Sequence, residues 1–120
     1  MLDHVSLKVS DYARSQAFYD LALKPLGLGR MMGDGQAFAG YGDTAPFFWI
    51  GAGGAGGSAH VAFTAKDRAT VAAFHAGALA AGGRDNGPPG VRAHYHANYY
   101  GAFVLDPDGH NIEAVCHAPA

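Results

Sequence analysis

The chain has 120 residues, including 18 Gly, a formal net charge of −2 and one cysteine. This length predicts a single domain over residues 1–120. Because no run of Lys or Arg is present, we expect neither nucleic acid nor an anionic membrane surface as a partner. No apolar stretch approaches the roughly 18 residues that would span a bilayer. With one cysteine and no visible secretory signal, we expect a cytoplasmic protein.

The chain repeats itself after a shift of 56 residues. Without a gap, residues 4–27 and residues 60–83 are identical at nine of 24 positions. We interpret the repeat as two homologous modules, residues 1–55 and residues 58–120. The Gly-rich segment 51–57 is predicted to be the linker between them.

Both modules have the pattern β-α-β-β-β. In the first module, alternating apolar residues predict a strand over 2–9. A helix then begins at the Ser10-Asp11 cap signal and continues to about Leu23, with Phe18, Leu21 and Ala22 at helical spacing. The remaining strands of this module are predicted over 30–32, 36–41 and 46–50.

The second module repeats this order. Its predicted elements are a strand over 60–65, a helix after Asp67, and strands near 91–95, 99–105 and 111–117. Asp106-Pro-Asp-Gly109 is a turn signal between the last two strands. The fold class is therefore α+β, with helices on one face of a mostly antiparallel sheet.

The chain contains nine Asp and seven His but a single Glu, Glu113. Side-chain alternation places His4 and His60 on the face of their strands opposite the apolar residues. Glu113 lies on the corresponding face of the last strand. If the modules pair symmetrically, these three side chains converge. Two His and one carboxylate with open coordination positions form a typical site for a catalytic divalent metal.

The segments His4-Val-Ser-Leu-Lys-Val-Ser-Asp and Asp106-Pro-Asp-Gly-His-Asn-Ile-Glu113 resemble the vicinal oxygen chelate superfamily. This group includes glyoxalases, bleomycin resistance proteins and extradiol dioxygenases. The resemblance implies paired β-α-β-β-β modules that form a cupped, barrel-like mixed sheet with the helices outside, usually in a homodimer. It also implies that His4, His60 and Glu113 hold a divalent ion (Fe, Mn, Ni or Zn) that chelates two oxygens of a small-molecule substrate.

One departure from the glyoxalase I pattern matters for function. In that enzyme the fourth ligand is a Glu on the last strand of the first module, whereas this chain has Phe48 or Trp49 there. The departure argues against glyoxalase I itself. Three expectations stay open: a metal-dependent lyase or isomerase, an Fe(II) extradiol-type dioxygenase, and a non-catalytic, drug-sequestering protein of the bleomycin resistance type.

The segment 91–100, after the Gly-Pro loop 87–90, concentrates groups that exchange protons. From it we select His96 and Tyr99 as candidate catalytic residues. The candidate residues of the substrate pocket are Phe48, Trp49, His94 and Tyr100.

The other histidines and the cysteine are expected to have lesser roles. His117 shares a face with Glu113 and is a candidate to support it. His75 and His110 are expected to lie in solvent, and Cys116 is expected to be buried on the helix side.

Overall fold

The first module forms a strand, a helix and three further strands. In the computed structural model, which describes residues 1–54 and 57–120, its elements are β1 (Val5–Val9), α1 (Tyr12–Ala22), a 3-10 turn (Lys24–Leu26), β2 (Gly29–Gly33), β3 (Phe38–Gly42) and β4 (Pro46–Ala52). The second module repeats them as β5 (His60–Thr64), α2 (Arg68–Ala80), β6 (Arg84–Val91), β7 (Tyr100–Leu105) and β8 (Asn111–Cys116).

Each module has its own four-stranded mixed sheet. The strand orders are β1-β4-β3-β2 and β5-β8-β7-β6, so the same topology occurs twice. In each sheet the first and last strands of the module pair in parallel, and the other pairs are antiparallel. The α+β fold class is confirmed. The sheets are cupped and remain two separate sheets, not one closed barrel.

Both helices begin at equivalent residues. The Asp11 carboxylate accepts from the backbone N–H of Arg14, and the Asp67 carboxylate accepts from that of Thr70. The two caps are 56 residues apart, as the repeat requires. An aspartate in this position satisfies one of the free N–H groups of the first turn, so the predicted helix starts are confirmed.

The core side chains follow the predicted alternation. Leu7 and Val9 of β1 belong to the buried hydrophobic core, as do Ile112, Ala114 and Cys116 of β8, whereas Glu113 and Val115 of β8 are buried outside that core. Side chains on the other face of each strand are therefore available to form a site.

On α1, Phe18 on the inner face is completely buried, whereas Leu21, which shares the helical spacing, is 51% exposed. Leu21 lies at the margin of that face, where its carbonyl approaches Gly77 of α2.

Three predicted boundaries need correction. The strand predicted over 2–9 begins at Val5, so His4 lies just before it. The strand placed near 91–95 is instead β6, which ends at Val91. Residues 92–95 form a turn in which the N–H of Tyr95 donates to the carbonyl of Arg92. The Gly-Pro signal suggested a loop, but β6 is an edge strand with two irregularities of register, and an edge strand tolerates prolines that cannot donate.

The predicted linker over 51–57 begins too early. β4 includes residues 51 and 52, and the N–H of Ala52 donates to the carbonyl of Ala37 at 2.7 Å. Residues 55–56 lie outside the described part of the chain. Within the described residues, neither helix is long and apolar enough to cross a bilayer.

The turn between β7 and β8 ties the second module to the first. The buried Asp106 carboxylate accepts from the backbone N–H groups of Asp108 and His110 at 2.9 Å. Its other oxygen accepts from the Tyr19 hydroxyl at 2.5 Å. Burial, followed by the charge of Asp106, raises the pKa of Tyr19 well above its ordinary value, so this phenol stays a donor.

The same turn makes two further contacts with the first module. The N–H of Ser10 donates to the Asp108 carboxylate at 3.1 Å. His110 is only 6% exposed, contrary to expectation, and its Nε2 donates to the carbonyl of Lys8 at 3.1 Å. Its Nδ1 accepts from the N–H of Ala59, so both ring nitrogens form hydrogen bonds. His75 is also largely covered, beside Asp85.

We predict that Phe18→Ala destabilises the chain by about 3–5 kcal/mol, because it leaves a cavity where the Phe18 ring now meets Gly83 and Val104 of the second module. Chemical denaturation measures the change. The control on the same helix is Leu21→Ala, which should change the free energy of unfolding by no more than about 0.5 kcal/mol. Equal losses in the two variants would contradict this description of the core.

Candidate functional site

The open face of the second sheet brings together two of the predicted metal ligands. Glu113 lies opposite Ala62 in the parallel pairing of β5 and β8, two residues along β5 from His60. The distance from His60 Nε2 to Glu113 Oε1 is 2.9 Å. The carboxylate of Glu113 is 1% exposed and the imidazole of His60 is 51% exposed, so one partner is enclosed and the other opens to solvent.

Tyr99 holds the other oxygen of the same carboxylate. Its hydroxyl donates a short hydrogen bond to Glu113 Oε2. A Cβ at Gly101 would lie 3.2 Å from the Tyr99 ring and 3.3 Å from Glu113 Oε2, so the glycine leaves the space in which they meet. Burial, followed by the hydrogen bond to Glu113, raises the pKa of the Tyr99 phenol. The phenol therefore stays protonated, and Tyr99 orients the carboxylate as a hydrogen-bond donor.

His96 and His117 form a pair beside Tyr99. Nε2 of His96 and Nδ1 of His117 are 2.6 Å apart, and their ring centroids are 4.8 Å apart. Because the nitrogens are much closer than the centroids, the rings meet at their edges. One of the two nitrogens must then carry the shared hydrogen. Both rings contact Tyr99 edge-to-face, at centroid distances of 5.5 and 5.3 Å. His117 thus supports the site through His96 and Tyr99, not through a bond to Glu113.

Two predicted pocket residues do not lie on this face. Phe48 is 1% exposed and packs in the core, with its ring 5.0 Å from Tyr19 and 5.2 Å from Phe63. Tyr100 points to the helix side, where the Arg68 guanidinium lies 4.9 Å from its ring centroid. Successive strand residues alternate between faces, so Tyr99 and Tyr100 cannot both reach Glu113.

His94 is an exposed residue at the rim. It belongs to the turn before β7, and its ring centroid is 4.2 Å from that of Tyr95. The Tyr95 ring in turn lies 4.7 Å from Tyr99. The three rings extend outward from the buried carboxylate of Glu113. His94, the outermost ring, can therefore contact a ligand only at the outer edge of the site.

The structure places His4 on the first module, apart from the other two predicted ligands. It precedes β1, its side chain is 57% exposed, and its Nδ1 lies 2.8 Å from the Asp3 carboxylate. It borders a cavity of about 400 Å³ together with Phe47, Phe48 and Phe63. Within residues 1–54 and 57–120, no three His, Cys, Asp or Glu side chains come close enough together to hold one metal ion.

The strand register identifies what replaces the missing carboxylate in the first module. Ser6 pairs with Trp49 in the first sheet, and the equivalent Ala62 pairs with Glu113 in the second. Trp49, rather than Phe48, is therefore the counterpart of Glu113. The two modules present different chemistry at the same position: an indole on one and a carboxylate on the other.

The donor set on the second sheet is suitable for a divalent metal. An imidazole nitrogen and a carboxylate oxygen are the ligands that zinc and first-row transition metals accept. A carboxylate buried as deeply as Glu113 is costly unless a cation offsets its charge. In the described parts of the chain, no Lys or Arg forms a salt bridge with it. A metal ion beside His60 and Glu113 fits this environment.

Sequence reasoning missed Phe103 and Gly101. Phe103 lies opposite Glu113 in the register of β7 and β8, and its ring is 6.1 Å from that of His60. Both residues follow Tyr99 at intervals of two, so the alternation along β7 could have identified them. Phe103 provides an apolar wall beside the two candidate ligands.

Comparisons with known proteins agree with this architecture. The family model described as the Glyoxalase/Bleomycin resistance protein/Dioxygenase superfamily matches residues 1–114. The crystal structure of a glyoxalase/bleomycin resistance protein from Albidiferax ferrireducens T118 is similar with 31% identity and a TM-score of 0.85, over 98% of this chain and 99% of that one. No curated protein sequence is matched.

More distant structures share the fold. The E126Q mutant of FosX, a fosfomycin resistance protein from Listeria monocytogenes, has 19% identity and a TM-score of 0.70, over 96% of this chain and 88% of that one. A lactoylglutathione lyase from Agrobacterium tumefaciens has 17% identity and a TM-score of 0.70, over 97% and 92%. The family match over nearly the whole chain, the similar structure at 31% identity and the doubled β-α-β-β-β topology lead to one conclusion: the chain belongs to the glyoxalase/bleomycin resistance protein/dioxygenase superfamily.

Proposed function

We propose that this chain is a glyoxalase-like metalloenzyme that acts on a small substrate with vicinal oxygens, in a reaction of the lyase or isomerase type. The observation that carries the proposal is the pairing of His60 and Glu113. Their Nε2 and Oε1 atoms are 2.9 Å apart on rigid neighbouring strands. An imidazole nitrogen and a carboxylate oxygen held side by side are the donors that would bind zinc or a first-row transition metal.

The third ligand in this proposal is His4 of a second copy. His4 is exposed on its own module, and the open face with His60 and Glu113 belongs to the other module. A homodimer with two-fold symmetry would bring the first sheet of one copy over the second sheet of the other, and would form two equivalent sites. His4, His60 and Glu113 then hold one divalent ion, which is Fe, Mn, Ni or Zn.

The residues around the ligands have separate tasks. When bound, the metal acts as a Lewis acid toward the two substrate oxygens. Tyr99 fixes the Glu113 carboxylate through its hydroxyl and cannot readily act as a base while it donates there. The His96–His117 pair shares a hydrogen between two nitrogens and lies beside Tyr99, so it is suited to take up or release a substrate proton.

The related structures support the choice of substrate class. The Listeria protein is described in complex with Mn(II) and 1S,2S-dihydroxypropylphosphonic acid, which carries adjacent hydroxyl groups. A phosphonate itself is less suited to this chain. The Arg92 guanidinium on the second module already donates to the carbonyls of Pro88 and Gly90.

An Fe(II) extradiol-type dioxygenase is the second candidate. Two His and one carboxylate are also the ligand set of non-haem iron oxygenases, and this is the observation that favours it. Oxygen consumption with a catechol by the iron-loaded protein distinguishes the two reactions. A drug-sequestering protein would bind its ligand equally well without metal and in His60→Ala.

We predict about one Fe, Mn, Ni or Zn per chain by elemental analysis of protein purified without chelators or an affinity metal column. His60→Ala and Glu113→Gln should each lower the metal content at least tenfold, because either change removes a ligand. His75→Ala, a histidine on α2, is the control and should keep its metal. A metal-free wild-type protein would overturn the proposal.

We predict that mixing two inactive variants restores activity. His4→Ala and His60→Ala each damage both sites of their own homodimer, but a mixed dimer contains one intact site. Random pairing should recover about a quarter of the wild-type sites. Metal content and turnover after joint refolding measure the recovery. No recovery would indicate that His4 does not act across a dimer.

We predict that Tyr99→Phe destabilises the fold by about 1–3 kcal/mol, because it leaves the buried Glu113 oxygen without its donor. Thermal or urea denaturation of metal-free protein measures the loss. Tyr95→Phe is the matched control, since the Tyr95 side chain is 58% exposed. An unchanged Tyr99→Phe variant would show that the hydroxyl contributes nothing to holding the carboxylate.

A further inference from the structure

The open face of the first sheet carries an aromatic platform next to a lysine. Trp49 and Phe38 lie on neighbouring strands with ring centroids 6.5 Å apart and planes inclined by 33°. Phe38 is 42% exposed, and the Trp49 side chain is partly exposed. Neither residue belongs to the metal site proposed above.

Gly40 keeps the indole flat against the sheet. A Cβ built on Gly40 would lie 2.7–2.8 Å from three consecutive atoms of the six-membered ring of Trp49. A point equally distant from three consecutive ring atoms lies above the centre of that ring. The backbone of Gly40 therefore packs against one face of the indole. The opposite face is directed away from the sheet and can receive another ring.

Gly51 opens a slot beside this platform. The register places Gly51 between Lys8 on β1 and Phe38 on β3. A Cβ at Gly51 would meet only the carbonyl oxygen of Ala37 within 4 Å, at 3.9 Å. The space between the side chains of Lys8 and Phe38 is therefore empty. The resulting cavity has a volume of about 190 Å³ and is also lined by Ser6 and Trp49. This is roughly the volume of six water molecules, enough for one six-membered ring with a small substituent.

Lys8 supplies the charge at one end of the slot. It alternates with the buried Leu7 and Val9, so its side chain projects to the open face. Among residues 1–54 and 57–120, no carboxylate forms a salt bridge with Lys8. An ammonium group next to an apolar slot favours a ligand that combines a flat ring with a negative charge.

We propose that Trp49, Phe38 and Lys8 form a binding subsite for a monocyclic aromatic anion, with the ring against the indole and the anionic group at the ammonium of Lys8. The subsite belongs to the first sheet, so it goes beyond the metal site and does not require it. If the dimer proposed above forms, the platform of one copy faces the ligands of the other. It then selects substrates that carry an aromatic ring.

Trp49 is the only tryptophan of the chain, so its fluorescence reports directly on the slot. Chelator-treated protein is titrated with benzoate and, separately, with cyclohexanecarboxylate, which has the same charge but no flat ring. We expect a saturable change of Trp49 emission with benzoate, and binding of cyclohexanecarboxylate that is about fivefold weaker. Equal affinity for the two acids, or no saturable change, would overturn the proposal.

Two variants test the two halves of the subsite. Lys8→Met should weaken benzoate binding about fivefold and remove most of its salt dependence, because the ion pair is lost. Gly40→Ala should abolish binding, because the added methyl group displaces the indole. Lys66→Met, which changes a lysine on the second module, is the matched control and should bind as wild type does. Unchanged binding by Lys8→Met would also overturn the proposal.

Glu113→Gln separates this proposal from the metal site. This variant should lose metal but bind benzoate with wild-type affinity, since Glu113 belongs to the second sheet. A protein that binds benzoate without ever holding metal would refute the metalloenzyme alone. A protein that holds metal but does not distinguish benzoate from cyclohexanecarboxylate would refute the subsite alone.

Discussion

The buried Asp106 carboxylate is the contact on which the positions of the two modules depend. It closes the turn between β7 and β8 through two backbone N–H groups, and it binds the Tyr19 hydroxyl of the first module. A carboxylate taken out of water requires such donors, so the turn cannot move without leaving a charge unpaired. The turn leads directly into β8, which carries Glu113. The contact that joins the modules thus also fixes the strand on which the candidate metal ligand lies.

The two modules share a topology but have lost chemical symmetry. His4 and His60 occupy equivalent positions of the repeat, just before β1 and at the start of β5, yet the register places Trp49 where the second module has Glu113. An indole over Gly40 offers a stacking surface, whereas a carboxylate beside an imidazole offers ligands. A protein that acts on a small organic substrate needs both a surface that binds the carbon skeleton and a group that polarises the reacting oxygens. Under the two proposals made above, each sheet provides one of these.

The regular elements could be predicted because each follows from a local rule. Asp11 and Asp67 cap helices at equivalent positions, and alternation correctly separated Glu113 from Ile112 and Ala114. β6 could not be predicted in the same way. Its two prolines are compatible with a strand only because β6 is at the edge of a sheet, and strand order is a tertiary property. His110 was misplaced for a similar reason: its partners, Lys8 and Ala59, are far from it in sequence.

By itself, the sequence determined the repeat, the α+β class, the helix caps and the faces of the strands, because these depend on neighbouring residues and a fixed side-chain period. Only the tertiary structure decided which side chains meet. It paired Glu113 with His60 and Tyr99, joined His96 to His117, and kept His4 on the other module. It also directed Phe48 and Tyr100 into the core and toward α2, and laid Trp49 against Gly40. Those outcomes depend on register, strand order and module packing, which no local pattern encodes.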